Sequence, residues 1–295
     1  MRFALIDEER SHHSVSRMSR VLGVTAAGYY AWKSRPASAH AIEDRRLKER
    51  IAHHFEASRG TYGGPRIKGD LADEGIFVSR KRVARLMRGP GISGVSGREG
   101  KRRRKPDAAE GGPVADLVLR DFTADAPDQV WFADITYVPT WEGWLFLAVV
   151  MGACTKRVVG WSMRDDLKSD IVVDALGMGT QTRRPRAGLV HHSDRGAQYR
   201  SLAFGRSLRD SGILASMGGT GAPHDNAAAE SLMATIKKGL VHRNRFKTRD
   251  EARFAIFRYI EGFYNPQRRH SSLGNLSPAE FERRLEGQRL RTAAL

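Results

Sequence analysis

A chain of 295 residues with a 40% hydrophobic share can bury one sizeable core with one or two small satellites. Its single cysteine, Cys154, excludes an internal disulfide framework and fits a reducing cytoplasm; no Cys/His cluster has zinc-site spacing, no apolar run nears the ~20 residues that span a bilayer, and M-R-F-A-L-I-D-E-E-R lacks a signal-peptide apolar region. The net charge of +17 sits in the flanks, with +11 over residues 1–112, zero over 113–240 and +6 over 241–295, so the expected partner is a polyanion. Nucleic acid fits better than an anionic membrane surface, because no long amphipathic apolar face lies beside the charge.

Residues 1–40 read as a short helical segment, with two helices over 11–35 joined at a Gly-Val turn and ended by Pro36. Residues 41–96 read as a helix-turn-helix-like DNA-binding domain. A charged helix over 42–57 comes first. A second runs from Pro65 to about Asp73, and a third, capped by Ser79, runs through Arg88. Arg80, Lys81, Arg82, Arg85 and Arg88 would dress that last helix with cations. Residues 97–122 have linker composition around Lys101, Arg102, Arg103, Arg104 and Lys105, a run that could lie along a DNA backbone.

From Gln129 the pattern predicts strands over 130–138, 144–153 and 157–163, forming an antiparallel meander. A helix over about 169–181, a strand over 189–193, a helix over about 202–211, a strand over 213–216 and a long helix after Asp225-Asn226 follow. The order describes an α/β fold, a mixed sheet with helices on both faces, and matches the ribonuclease H-like core over 123–242. Residues 243–295 form a basic helical segment: a helix over 248–264, then Y-N-P-Q-R-R-H with Arg268 and Arg269, then a short helix opening at Ser277-Pro278.

Three acids stand out. Asp134 falls mid-strand among Trp131, Phe132, Ile135 and Tyr137, where an ionised carboxylate needs a cationic neighbour. Asp194 ends a strand in H-H-S-D-R-G-A-Q-Y, and Glu230 lies one turn into the helix that follows the Asp-Asn cap. Two strand aspartates and a helix glutamate can converge into a hard-oxygen site of the kind Mg²⁺ prefers, and two such ions suit an in-line phosphoryl displacement. Lys237, seven residues after Glu230, projects from the same helix face ~10 Å along the axis and could hold a DNA phosphate. His191 and His192 read as neutral core packing.

With 59 residues between Asp134 and Asp194 and 35 between Asp194 and Glu230, and with D-N-A-A-A-E-S-L and the lysine seven residues on, the chain closely resembles the DDE transposases of insertion sequence family three, which share the retroviral integrase core. G-T-Y-G-G-P-R-I at 60–67, S-R-K-R-V-A-R-L-M at 79–87 and Y-N-P-Q-R-R-H-S-S-L-G at 264–274 extend the resemblance over nearly the whole chain. It implies a metal-binding catalytic triad of Asp134, Asp194 and Glu230, with Lys237 contacting DNA and Mg²⁺ as cofactor, two ions, for which Mn²⁺ could substitute. It also implies cleavage of DNA at insertion-element ends followed by strand transfer. The partners it implies are double-stranded DNA at element ends and target, a homo-multimer on that DNA and the upstream-frame protein of the element, in a bacterial cytoplasm at the nucleoid. The chain departs from many relatives at Met217-Gly218-Gly219-Thr220-Gly221, where cationic residues are frequent, and at His224, where a tyrosine or tryptophan is frequent. A hydrolysis-only nuclease of the same fold, and a DNA-binding regulator or inactivated transposase acting as a repressor, remain the alternatives.

Overall fold

The computed structural model describes residues 1–95, 114–219 and 226–293, so the Lys101–Lys105 run and the pair His224 and Asp225 lie outside the described residues. The chain divides into two compact units, Met1–Ala52 and His53–Leu295.

The first unit is helical, with α1 (Arg2–Glu9), α2 (Val15–Leu22), α3 (Ala26–Ser34) and the start of α4 (Ala39–Ala57). The hydroxyls of Ser14 and Thr25 accept from the backbone N–H groups of Arg17 and Gly28, satisfying donors that the first turns of α2 and α3 leave open. Gly23 ends α2 at φ +63°, in the left-handed conformation that glycine adopts without a Cβ penalty. Ile6, Met18 and Tyr29 form the small core, and the Tyr29 hydroxyl and Lys33 ammonium both donate to Asp7. Helix α1 was not read from the sequence, because R-F-A-L-I-D-E-E carries little apolar periodicity.

In the second unit, α5 (Gly64–Asp73) and α6 (Arg80–Arg88) follow the predicted bounds. Pro65 opens α5 in its first turn, where its missing N–H costs nothing. Ser79 caps α6, its hydroxyl accepting from Arg82 N–H at 3.2 Å. Val83, Leu86 and Met87 turn inward while Arg80, Lys81, Arg85 and Arg88 stay exposed.

The sheet contains β1 (Val130–Thr140), β2 (Gly143–Gly152), β3 (Val158–Arg164), β4 (Val190–Ser193) and β5 (Leu214–Met217) in the order β3-β2-β1-β4-β5. β1–β2 and β2–β3 pair antiparallel and β1–β4 and β4–β5 pair parallel, which is the ribonuclease H-like order of the integrase core. Helices α7 (Asp170–Arg183), α8 (Leu202–Asp210) and α9 (Ala227–Gly239) cover it. A Cβ on Gly160 of β3 would stand 2.1 Å from the Ala175 carbonyl oxygen of α7, so the close approach of this helix and strand requires glycine there. The core beneath α7 joins Trp131, Val150, Ile171, Leu176, Phe204 and Leu208.

Helix α10 (Arg249–Tyr259) continues as one π turn through Tyr264, and α11 (Pro278–Ala293) ends the described chain. The last helix spans 16 residues and is not the short one expected. Its Glu282, 3% exposed, accepts from Arg157 at 2.6 Å and also from Arg183, which ties the helix to the sheet unit through a buried acid. Among the described residues, no helix is long and apolar enough to cross a membrane.

Candidate active site

Asp134 lies near the middle of β1, the central strand, opposite Val149 of β2. Its neighbours Ala133 and Thr136 are buried, and burial pushes the Asp134 carboxyl up to about 7. The N–H of Ile135, donating at 2.8 Å, opposes that rise, Asp194 and Glu230 add to it, and Lys237 opposes it. Electrostatically the three acids therefore form one neighbourhood, and the cation expected beside Asp134 is Lys237.

A cavity of about 360 Å³ is lined by Asp134, Thr136, Glu230, Met233, Lys237 and His242, among others. Glu230 and Lys237 both face it from α9, two helical turns apart. Asp194 is not in that lining. It is exposed on the turn that leaves β4, where its Oδ1 accepts from Gly196 N–H at 2.9 Å. Among the described residues, no three His, Cys, Asp or Glu side chains stand close enough together to hold an ion. Asp194 and Glu230 each raise the Asp134 carboxyl, but the three acids do not meet at coordination distance.

Asn226, read from the sequence as part of a helix cap, stands at the N-cap of α9, but its side chain turns to the sheet. Its Nδ2 donates to the Ala133 carbonyl at 3.0 Å, and no side-chain cap bond forms. The bond pins the start of α9 to β1 one residue before Asp134, setting Glu230 against the strand. The only sequence signal for this was an asparagine four residues before the glutamate, which capping chemistry explained equally well.

The two histidines before Asp194 are core residues, as expected. His191 packs against Tyr199 and Phe204, and burial lowers its imidazole to about 4. His192 Nδ1 lies 2.8 Å from the Ser216 hydroxyl. After β5, Gly218 N–H donates to the Ser193 carbonyl and its own carbonyl accepts from Arg195 Nε at 2.7 Å, so the first glycine of the departing segment is anchored beside β4.

Comparison with known proteins decides the family. The chain is 36% identical over 284 residues to the transposase for insertion sequence element IS629 of Shigella sonnei, covering 95% of each chain. It is 35% identical over 285 residues to transposase InsF for insertion sequence IS3A of Escherichia coli K12, covering 96% of this chain and 98% of that one. The chain belongs to the transposases of insertion sequence family three.

An Integrase core domain family matches residues 124–223 of the transposase, a second Integrase core domain family matches 211–278, and an HTH-like domain family matches 42–104. The chain is also 42% identical over 265 residues to the insertion element IS600 uncharacterized 31 kDa protein of Shigella sonnei, covering 90% of this chain and 97% of that one. Among solved structures, the HTLV-2 integrase catalytic core domain in complex with magnesium aligns with 53% of this chain and 97% of its own, at 16% identity and a TM-score of 0.40.

The cations expected to contact DNA fall into distinct settings. Arg80, Lys81 and Arg85 are exposed on α6, and Lys237 faces the acid-lined cavity. Arg269 is held by Asp70 and Asp73 and donates to the Asn275 carbonyl at 2.8 Å, so its guanidinium is committed within the protein. Arg268 is 8% exposed. Around them the 60–67 and 264–274 motifs meet: the Tyr62 hydroxyl donates to the Gln267 carbonyl and accepts from Arg269 N–H, and Arg66 Nε donates to the Arg269 carbonyl.

Proposed function

We propose that this transposase cuts DNA at the ends of its element and joins the freed 3′ ends to target DNA in a Mg²⁺-dependent reaction at Asp134, Asp194 and Glu230. The observation that supports it is the cavity that Asp134, Glu230 and Lys237 line together, with the Asp134 carboxyl raised beside it. A half-buried acid on the central strand, its carboxyl raised by desolvation and then by two further acids, favours a bound cation, and hard oxygen donors suit Mg²⁺ over softer metals. Bound there, divalent ions, two by the family resemblance, would activate the attacking oxygen and offset charge on the leaving one.

The protein's own groups do the rest. Asp134 and Glu230 supply fixed donors from a strand and a helix that Asn226 ties together, and Asp194 supplies one from a turn braced by Gly196 N–H. Lys237 neutralises a phosphate at the cavity wall. Helix α6 and the basic linker run hold duplex along their cations by counterion release. Joining engages two DNAs at once, and the basic flanks are the surfaces for them. A multimer on paired ends and the upstream-frame product of the element complete the assembly.

The test is incubation of the purified chain, alone and with the upstream-frame product, with labelled terminal-repeat DNA and Mg²⁺, comparing wild type with Asp134→Asn and Glu230→Gln. Joined products in wild type and none in either variant is the expected result. Cleavage without joining would assign a nuclease, and unchanged binding without chemistry a regulator.

A further inference from the structure

We propose that Arg268 and Arg66 form, with hydroxyls of α9, a second anion pocket that takes a backbone phosphodiester of the DNA strand passing the active site; the assignment of that strand rests on the DNA-joining reading above. The pocket is a cavity of about 190 Å³ lined by Thr61, Arg66, Ser231, Thr235, Lys238 and Arg268, among others. Arg268 is only 8% exposed, and its Nε and Nη1 have no hydrogen-bond partner among the described residues. A guanidinium sequestered in this way is costly unless an anion meets it. Among the described residues no Asp or Glu lines the cavity.

The neighbours sharpen the need. Arg66 sits over the Tyr62 ring at 5.6 Å, and burial, then the Arg268 charge, both lower its affinity for its proton. Burial and Arg268 also push His270 down to about 3, so this histidine stays neutral and adds no further positive charge. Two guanidiniums repelling one another in a protein-lined cavity are reconciled by an anion between them.

The donor set selects the anion. Thr61 gives its hydroxyl proton to the Ser58 carbonyl at 2.7 Å, which leaves Ser231 and Thr235 as hydroxyl donors beside the three cations. Those donors arrive from three separate chain segments and suit a tetrahedral oxyanion better than a planar carboxylate. Among the described residues no aromatic ring lines the cavity, so these residues offer a nucleobase no stacking surface.

Position selects its source. Ala234 and Lys238 line both this cavity and the one holding Asp134 and Glu230, so the two open on adjoining faces of one helix. Ser231 and Lys238 are seven residues apart, two turns or ~10 Å. A strand whose phosphate rests on Arg268 therefore runs along α9 to the acids, held by contacts outside the reacting linkage.

The test uses the full chain without divalent ions, comparing wild type with Arg268→Met, Arg268→Gln and Arg268→Lys. Inorganic phosphate at constant ionic strength should raise the melting temperature of wild type and leave the Met and Gln variants flat. Without phosphate, Arg268→Met should melt at or above wild type, because an unpaired buried cation is gone. Binding to an element-end duplex should weaken several-fold, with the slope of log K against log salt shallower by about one. A single neutral methylphosphonate linkage, scanned along the strand, should weaken wild type at one position and neither variant there. Equal phosphate responses in wild type and variants would overturn the pocket. So would a fall in melting temperature in Arg268→Met that Arg268→Lys restores, since that marks a structural cation. A phosphate response without the slope or methylphosphonate effect would overturn the DNA assignment and leave a site for the free anion. Because every readout is metal-free, absence of Mg²⁺-dependent joining by wild type would count against the catalytic reading alone.

Discussion

Replacing Asp134 with asparagine should make the metal-free protein more stable, and by an amount that depends on pH. In the folded chain the carboxyl is raised from the ordinary 3.8 to about 7, first by burial and then by Asp194 and Glu230. Between those two values the native state holds a proton that the unfolded chain has released, so stability falls as pH rises through the interval and is flat above it. The interval corresponds to about 4 kcal/mol, an order-of-magnitude figure. Asparagine keeps the shape and the acceptor for Ile135 N–H but cannot ionise. Urea unfolding of wild type and Asp134→Asn in chelator, from pH 4 to 8, should therefore show curves that coincide near pH 4. They should separate to about 4 kcal/mol in favour of the variant by pH 8. Adding Mg²⁺ at pH 8 should close the gap by stabilising wild type only. A separation that does not change with pH, or a variant less stable at pH 8, would refute a carboxyl strained by its surroundings.

His191 works in the opposite direction: its imidazole is lowered from 6.5 to about 4, so stability is lost as pH falls through that range. His191→Phe should flatten the acid limb of the unfolding profile by about 3 kcal/mol in total. Glu282→Ala takes the buried acid from Arg157, which is partly exposed, and from Arg183, which keeps Asp128, and should cost about 1–3 kcal/mol in chemical denaturation. Asn226→Ala removes the bond to the Ala133 carbonyl and should lower single-turnover joining by roughly 10- to 100-fold with little change in DNA affinity, the signature of a positioning residue.

The strands and the Asp134 position were readable because each carries a local signal: β-branched and aromatic runs for β1 to β3, and a lone acid inside one of them. The cap at Ser79 and the proline at the start of α5 act within a few residues, so those two helix starts could be placed closely, whereas the Ser14 and Thr25 caps were not read. Contacts across long separations left no such trace. Tyr62 with Gln267 and Arg269, and Glu282 with Arg157 and Arg183, are pairings of folded surfaces, and a motif such as Q-R-R-H cannot say which arginine faces a carboxylate and which a cavity. Arg268 and Arg269 looked equivalent in sequence. Among the described residues the fold gives Arg269 two aspartates and Arg268 none. Asn226 holds the cap position read for it, but its side chain bonds a strand instead of the helix: the same group can do either, and only the position of β1 decides.

The most direct test of the three-acid site is anomalous diffraction from Mn²⁺-loaded crystals of the transposase with an element-end duplex. Density coordinated by Asp134, with Asp194 and Glu230 drawn in as ligands, is expected, and none in crystals of Asp134→Asn. Manganese bound elsewhere, or bound with Glu230 and Asp194 both outside its coordination shell, would contradict it.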